Sequence, residues 1–331
     1  MTGSAPPRPD VPAVGSPIDA AQQAFEYTKR QLFPFRFERW LVLGFLAFLD
    51  QCGRSGANLG GNLPPGSWHA DGGGGDVEKT FEALPGHLPD LWGWDLGTVI
   101  AVGAIVLVFA AVLIAIVLWI NSRAIFMYAD AVGSGRTDVA RPWREHASLA
   151  GSFFVWRLVI VLAVLMAVVM LIAAGGLAWA AAARGDVIAG VGVGLLIAIL
   201  AIALLVLLLA AGLFSLVLRD FVAPIQIATQ ATCGDALRRF ADLLGAYPGS
   251  FLIYVVLKLV FAVAAAIVFV LVGCLTCCLG FVPVVGQTLL QPLFYFERAW
   301  SLFLLRGLGY DLLGTGLAGL PPARQGVPGT S

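Results

Sequence analysis

Charged side chains are scarce in this sequence. Only 12% of its 331 residues are Asp, Glu, Lys or Arg, while 59% are hydrophobic; a soluble domain carries about 25% charged residues. A chain of this kind cannot cover a water-facing surface with polar side chains, so the composition excludes an ordinary soluble domain. The formal net charge is zero, and we expect no nucleic acid among the partners.

Residues that carry out chemistry are also few. The chain has His at 3 positions and Cys at 5, and no His has a second His or a carboxylate at a spacing that indicates a metal or catalytic site. No Gly-x-Ser-x-Gly, His-Glu-x-x-His or Walker pattern occurs. The run DGGGGD at 71–76 resembles a phosphate-binding loop, but no Lys-Ser/Thr follows it. We therefore expect no catalytic residue, no cofactor and no metal.

Long apolar runs account for the missing charge. A helix needs about 20 apolar residues to cross a bilayer, and several uncharged stretches of this chain are longer. The last one, 259–296, is too long for a single crossing, and Gly280 with Pro283 supply a hinge. The sequence therefore predicts an all-α helical membrane bundle of about six transmembrane helices. The predicted spans are 38–50, 96–120, 153–182, 187–217, 250–275 and 281–305.

The remaining segments divide the chain around this bundle. Residues 1–15 lack an apolar core and are predicted to be a disordered N-terminus rather than a cleavable signal. Residues 16–313 form the membrane domain, with an external Gly- and Pro-rich loop at 51–95, and residues 314–331 form a flexible tail. The segment 38–50 is short for a full crossing, so the sequence leaves open whether it spans.

The distribution of Lys and Arg sets the orientation. Arg54, Lys79 and Arg184 are the only cations in the predicted outer loops, and the rest of the 20 lie in the termini, the loops or the span ends of the other side. By the positive-inside rule that other side is the cytoplasm. We therefore expect a multi-pass protein of the inner (plasma) membrane with both termini in the cytoplasm.

Two amphipathic segments are predicted to lie on the membrane surface as interfacial helices. The first starts at Ser16-Pro17, a typical helix start, and places Ile18 and Phe25 on one apolar face. The second starts at Thr232 with the pattern of a capping box, and its apolar stripe lies opposite its arginines. We expect both apolar faces to contact lipid.

Four cations are candidates for lipid-headgroup contact. Arg238 and Arg239 face away from the stripe of the second surface helix, and anionic lipid attracts an arginine there by about 1 kcal/mol. Arg157 and Lys258 lie a short way into their spans, a depth from which a long side chain reaches the headgroups. Membrane lipids are therefore the first expected partner; other membrane proteins or a second copy of the chain are the alternatives.

The last span carries polar residues of two kinds. Gln287 and Gln291 are four residues apart and share one face of the predicted helix. They either line a cavity or form interhelical hydrogen bonds, worth about 0.6–2 kcal/mol each, and the second interpretation is favoured. Glu297 and Arg298 lie near the inner end of this span, where we expect an exposed ion pair.

Three cysteines cluster near the outer end of the span 250–275. Cys274, Cys277 and Cys278 form a C-x-x-C-C pattern whose spacing suits a disulfide or a soft metal, and Cys52 is a further candidate disulfide partner. No His or carboxylate completes a metal site, and free Cys also packs as a small apolar residue. Packing is the favoured interpretation, and a disulfide is the second.

Several local patterns resemble a group of uncharacterised bacterial multi-span membrane proteins. The patterns are FPFRF at 33–37 before Trp40, ALRRFADLLGAYPGSF at 236–251 and GCLTCCLGFVPVVG at 273–286. The second pattern also resembles the membrane region sometimes fused to glycerophosphodiester phosphodiesterases. The resemblance covers residues 17–313 and implies a helical bundle in a bacterial inner membrane, but it implies no activity.

Three functions remain open from the sequence. A non-catalytic membrane protein that organises lipid or binds partners is favoured, because basic surface segments recur and no catalytic constellation converges. A small permease or channel for uncharged or lipid-like cargo is the alternative, supported by a weak internal repeat around Gly-Ser-Phe at 151–153 and 249–251. A lipid-modifying enzyme would need His146, Glu145 and Glu297 to meet at the inner interface, and it is the weakest of the three.

Overall fold

The protein folds into helices. The computed structural model describes residues 16–52, 96–183, 187–276, 282 and 284–313, and no β-strand occurs within these ranges. The helices are α1 (Pro17–Leu32), α2 (Phe37–Cys52), α3 (Leu96–Ser134), α4 (Ala140–Glu145), α5 (Ala147–Ala183), α6 (Val187–Val217), α7 (Ala223–Thr229), α8 (Cys233–Ala246), α9 (Pro248–Leu275), α10 (Val285–Leu289) and α11 (Gln291–Gly307). A π-helical turn, Leu218–Val222, joins α6 to α7. The predicted all-α bundle is confirmed. The predicted disordered N-terminus, the tail 314–331 and residues 53–95 of the predicted loop lie outside the described residues.

Both surface helices begin where the sequence predicts. Ser16 Oγ accepts a hydrogen bond from Ile18 N at 3.3 Å, and Pro17 occupies the first helical position of α1. Thr232 Oγ1 accepts one from Asp235 N at 3.4 Å at the start of α8. Each cap satisfies a backbone donor that the helix leaves free, a contribution of about 1 kcal/mol.

Four helical segments are long and apolar enough to cross a membrane. They are Ala101–Ser134 in α3, Ala147–Ala178 in α5, Val191–Thr229 in α6 and its continuation, and Pro248–Leu275 in α9. They coincide with four of the six predicted spans, and they characterise the chain as a membrane protein. The predicted spans 38–50 and 281–305 correspond to α2 and to α10 with α11, which are not among the four.

Helix α2 lies beside the C-terminal part of α3 and runs antiparallel to it. Arg39 Nη2, near its start, donates to Gly135 O at 3.1 Å, and Asn121 Nδ2 donates to Asp50 O, near its end, at 2.7 Å. Asn121 is about 37 Å along the helix axis from Leu96, at 1.5 Å per residue. Because α2 ends level with Asn121, it does not accompany the apolar half of α3 as a neighbouring full span would.

The predicted last span is divided into two helices. Helix α10 ends at Leu289 and α11 starts at Gln291, so the apolar run does not continue as one rod. In α11, Tyr295 Oη donates to Val132 O at 3.3 Å, and Trp300 Nε1 donates to Pro17 O at 2.8 Å. These bonds place α11 between α1 and the C-terminal part of α3.

Side-chain packing is concentrated at one end of the long helices. Along α3, Val106 and Phe109 are 60% and 64% exposed, whereas Phe126 and Tyr128 are completely buried. The buried end, which we call the basal core, consists of α1, α2, α7, α8, α11 and the adjoining ends of α3, α5 and α9. The exposed ends are apolar helices whose backbone bonds are internal, so they suit a lipid environment.

The apolar stripe of α8 packs against the rest of the basal core. Phe240 is buried, and its ring centroid lies 5.3 Å from that of Phe221 and 5.1 Å from that of Phe251. This position differs from the sequence prediction, which laid the stripe on lipid, because neighbouring aromatic rings offer Phe240 a protein environment. Leu244, further along the stripe, is exposed.

Candidate functional site

Six charged side chains from four parts of the chain form one buried cluster, which we call the ion network. Its members are Asp50 on α2, Arg219 and Asp220 on the π turn, Lys258 on α9, and Glu297 and Arg298 on α11. None of the six is more than 7% exposed. Buried charges are rare unless they are paired, so this cluster is the part of the described structure that most requires an explanation.

Arg219 forms the first half of the ion network. Its Nε donates to Asp50 Oδ2 at 3.1 Å, and its Nη2 donates to the same carboxylate. Its Nη1 donates to Glu297 Oε1 at 3.1 Å. Two-point bonding between a guanidinium and a carboxylate is strong and fixes orientation. Arg219 therefore holds α2 and α11 against the π turn.

Lys258 forms the second half. Its Nζ lies 2.8 Å from Asp220 Oδ2 and 3.2 Å from Glu297 Oε1. Tyr254 Oη, one turn earlier on α9, donates to Asp220 Oδ2 at 2.9 Å. Because Glu297 accepts from both Lys258 and Arg219, the two halves share one carboxylate.

Arg298 connects the ion network to the backbone of two other elements. Its Nη1 donates to Arg219 O at 2.7 Å and its Nη2 to Ile125 O at 2.8 Å. Its terminal nitrogens also lie 3.7 Å from Asp50 Oδ1 and 3.8 Å from Asp220 Oδ1. The expected exposed ion pair of Glu297 and Arg298 is wrong, since both side chains are buried in the basal core.

The ion network is balanced in charge and joins distant segments. Its three cations and three carboxylates come from α2, the π turn, α9 and α11. Removing an ion from water costs several kcal/mol, and removing one partner of a buried pair costs about 3–5 kcal/mol because the other charge is left alone. The network therefore favours one arrangement of these four elements over arrangements that separate the charges.

A proline accounts for the π turn that carries Arg219 and Asp220. Pro224 has no N–H and cannot donate to the carbonyl of Asp220, the acceptor that an α-helix would use. Ala223 N donates to Leu218 O, five residues earlier, rather than to Arg219 O, its acceptor in an α-helix. The wider turn buries two consecutive charged residues on the same side of the chain, and such turns often occur at functional sites.

The two cations predicted to reach headgroups from inside their spans lie at or in the ion network. Lys258 is a member, and its side chain is 3% exposed. Arg157 is half-buried at the margin, where its Nη1 donates to Asn121 Oδ1; Asn121 in turn bonds to the backbone of Asp50. The position of Lys258 differs from the expected one, because carboxylates within the protein bind its ammonium; contact of Arg157 with headgroups stays a prediction.

The other two candidates for headgroup contact are exposed. Arg238 and Arg239 lie on the face of α8 opposite buried Phe240. The Arg238 side chain is 85% exposed, and its Nη1 is 3.6 Å from Asp235 Oδ1. Their contact with lipid stays a prediction, but both guanidinium groups have the exposure that it requires.

The two glutamines lie in different environments. Gln287 Oε1 accepts from Val284 N at 2.9 Å in the first turn of α10. Gln291, on α11, is fully buried and donates to Tyr128 Oη at 3.2 Å. A surface groove is lined by Ala21, Gln22, Phe25, Glu26 and Phe296, and neither candidate glutamine belongs to it. A cavity at Gln287 and Gln291 stays a prediction.

The cysteines described by the structure are free thiols. Cys274 is exposed, Cys52 is half-buried and Cys233 is buried. Cys277 and Cys278 lie outside the described residues, so a disulfide within the cluster stays a prediction. Within the ranges that the structure describes, no group of His, Cys, Asp and Glu is placed to hold a metal ion.

The three residues of the enzyme alternative lie in different surroundings. Glu145 is exposed and accepts from Arg141 Nε at 2.7 Å. His146 is buried, and its Nε2 lies 4.0 Å from Asp130 Oδ1. Glu297 belongs to the ion network. These separate partners give no support to a joint acid–base site.

Half of the ion network was not singled out by the sequence. Asp50, Arg219 and Asp220 each follow the end of an apolar run, where a charge ordinarily marks the membrane boundary. The available signal was Pro224, because a proline inside a continuous helical pattern, four residues after a charged pair, indicates a local irregularity.

The fold and the buried charges characterise a multi-span helical membrane protein. The sequence matches the family of unknown function DUF7544 over residues 16–317, and the chain belongs to that family. No curated protein and no solved structure matches it. The comparison gives no link to glycerophosphodiester phosphodiesterases, so that resemblance stays a prediction from local patterns.

Proposed function

We propose that this protein is a non-catalytic component of a bacterial inner membrane, whose basal core binds anionic lipid on the cytoplasmic side and so positions lipid and partner proteins. The observation that carries the proposal is the way α8 presents Arg238 and Arg239. The helix docks on the rest of the basal core through Cys233, Ala236 and Phe240, all buried, and both arginines are exposed.

The arginines are available for a lipid phosphate. Arg238 is close to Asp235 at 3.6 Å, but an exposed ion pair is worth only about 0–1 kcal/mol. Such a pair exchanges readily for a phosphate, which an arginine binds with two parallel hydrogen bonds. Because α8 is held by buried aromatic contacts, its basic face keeps a fixed position relative to the spans.

The ion network supports the same interpretation. It matches three cations with three carboxylates inside the basal core. Such a balanced set of charges is expected to keep the core rigid. Charges that hold α2, the π turn, α9 and α11 together give α8 a stable surface on which to dock.

Lipid binding by α8 is tested in nanodiscs that contain phosphatidylglycerol and phosphatidylcholine. The double variant Arg238→Gln/Arg239→Gln is expected to retain about 5- to 25-fold less phosphatidylglycerol, at about 1 kcal/mol per arginine. Arg306→Gln is the control, since Arg306 is exposed and lies 3.5 Å from Asp311 in a comparable pair. Equal lipid retention by the double variant, the control and the unchanged protein would contradict the proposal.

A small permease for uncharged or lipid-like cargo is the second candidate, favoured by polar atoms near the ends of the spans that form no hydrogen bond within the described residues. Asp220 Oδ1, Gln291 Oε1 and Arg298 Nε are buried without a hydrogen bond. Buried polar atoms of this kind are commonly satisfied by water, and water between helices is what a solute pathway would contain.

The permease candidate is tested by solute flux into proteoliposomes. Glycerol is the probe, and light scattering follows the change in vesicle volume. If the protein conducts, Gln291→Leu is expected to reduce the flux by making the core drier, whereas Gln22→Leu, an exposed position on α1, leaves it unchanged. Flux equal to that of protein-free vesicles would remove this candidate.

A further inference from the structure

An arginine on α3 lies between two tryptophan rings. Arg123 Cζ is 4.5 Å from the ring centroid of Trp119, one turn earlier on α3, and 4.8 Å from that of Trp143 on α4. The two rings are 5.9 Å apart and nearly perpendicular, at 88°. Contact with aromatic faces holds a guanidinium through cation–π attraction while its N–H groups stay free in the plane.

The donors of Arg123 are not used within the described residues. The side chain is half-buried, and it has no hydrogen bond and no ion pair with any residue in the ranges 16–52, 96–183, 187–276, 282 and 284–313. This state is unlike that of Arg219 or Arg298, which bind carboxylates or carbonyls. A half-buried guanidinium has five donors that need acceptors, so an anionic group is a suitable partner for Arg123.

The position of Arg123 indicates which anion is presented to it. Trp119 is 41% exposed and continues the exposed apolar surface of α3, to which Ile116 and Val117 also belong. From Ala124 to Ala129 the helix is buried in the basal core. Arg123 thus lies where the apolar surface ends, and tryptophan is enriched at this boundary between hydrocarbon and headgroups.

We propose that Trp119, Arg123 and Trp143 form a binding site for the phosphate of an anionic phospholipid in the cytoplasmic leaflet. The guanidinium donates to two phosphate oxygens, the indoles hold it in place, and one acyl chain lies along the exposed face of α3 beside Val117. The site rests on the proposed lipid-binding function and adds a specific headgroup position, separate from the basic face of α8.

Native mass spectrometry of the detergent-solubilised protein tests the site with dioleoyl-phosphatidylglycerol as the probe. Arg123→Gln is expected to weaken phosphatidylglycerol binding about fivefold, which is the contribution of one arginine to the affinity for an anionic membrane surface. The phosphatidylglycerol affinity of Arg123→Lys is expected to lie between that of the original protein and that of Arg123→Gln, because lysine keeps the charge but not the planar fork. Trp143→Leu tests the aromatic support with the arginine present, and it is expected to weaken binding in the same direction.

Arg136→Gln is the matched control, since Arg136 is exposed in the segment just after α3, and it is expected to leave binding unchanged. Dioleoylglycerol, which lacks the phosphate, is expected to bind the original protein and Arg123→Gln equally. Inorganic phosphate alone is expected not to displace the lipid; full displacement would assign the site to a soluble anion and overturn the proposal. Unchanged phosphatidylglycerol affinity in folded Arg123→Gln and Trp143→Leu would overturn it as well.

The outcomes separate this site from the proposed function. If Arg123→Gln has no effect while the Arg238 and Arg239 variant loses lipid, the Arg123 site is wrong and the function of α8 stands. If only Arg123→Gln loses lipid, the headgroup site stands and the role of α8 fails. If neither variant loses lipid, both proposals fail.

Discussion

Replacing Lys258 by methionine is the sharpest test of the ion network. The ammonium lies 2.8 Å from Asp220 and 3.2 Å from Glu297, and methionine fills similar space without charge. The substitution leaves three buried carboxylates against two cations. Removing one partner of a buried ion pair costs about 3–5 kcal/mol, so we expect the free energy of unfolding to fall by about that amount.

A compensating change separates charge imbalance from lost packing. Lys258→Met/Asp220→Asn removes one charge of each sign and leaves Asp50 and Glu297 matched with the remaining arginines. The double variant is therefore expected to be more stable than the sum of the single effects predicts, with a coupling energy of about 1–3 kcal/mol. Restored stability would show that the electrostatic balance, rather than the lysine stem, carries the effect.

The measurement is reversible unfolding in mixed micelles titrated with dodecyl sulfate and followed by circular dichroism. Lys29→Met is the control, because Lys29 is an exposed lysine on α1 and surface changes usually stay within about 0.5 kcal/mol. A loss below about 1 kcal/mol for Lys258→Met, outside the range for breaking a buried pair, would refute the reasoning. So would purely additive behaviour of the double variant.

Three further predictions follow from packing, burial and orientation. An added Cβ at Gly44 would lie 2.9 Å from Thr288 Cα, so Gly44→Ala is expected to cost about 1–3 kcal/mol of unfolding free energy. In contrast, Gly151→Ala, with nothing within 4 Å, is expected to be neutral or stabilising in the same titration. Burial raises the pKa of the Cys233 thiol to about 12, so at pH 8 it is protonated and should resist maleimide until dodecyl sulfate unfolds the protein. Equal labelling of native Cys233 and exposed Cys274 would contradict that burial. Asp138→Cys and Asp242→Cys, both exposed positions, should react with an impermeant maleimide only after cell lysis. Their peptides are separated from native cysteines by mass spectrometry, and reaction in intact cells would reverse the predicted orientation.

The sequence predicted the long helices and the helix caps, because each of these depends only on residues close together in the chain. Four long apolar runs became four long helices because about 20 apolar residues suffice to define a span. The caps at Ser16 and Thr232 were equally local, since each needs only a hydroxyl and a backbone N–H a few residues on.

The buried face of α1 was not predictable in the same way. The sequence assigned Ile18 and Phe25 to a face that contacts lipid, and both are exposed; it gave no indication that the face with Ala24 and Tyr27 is buried. The small residues face α11, and Tyr27 Oη donates to Val132 O on α3 at 2.8 Å. These partners lie far away in the sequence, so the local pattern of α1 could not indicate that this second face packs against protein.

The ion network could not be predicted from the sequence for the same reason, because its members are far apart along the chain. Asp50 meets Arg219 across 169 positions of the chain, and Arg219 has no charged residue three or four positions away that would indicate a pair. Glu297 and Arg298 were noticed, but adjacent opposite charges near a span end fit an exposed pair equally well. Only the fold decides between the two interpretations.

The concentration of side-chain packing in the basal core has a consequence for bilayers of unequal thickness. Phe109 on α3 and Val263 on α9 are both well exposed. The parts of α3 and α9 outside the basal core therefore contact lipid more than they contact each other. When the hydrocarbon layer becomes thinner, such helices can incline at modest free-energy cost, and the ion pairs at their proximal ends need not break. We expect short-chain lipids to alter the inclination of the spans while the basal core keeps its shape.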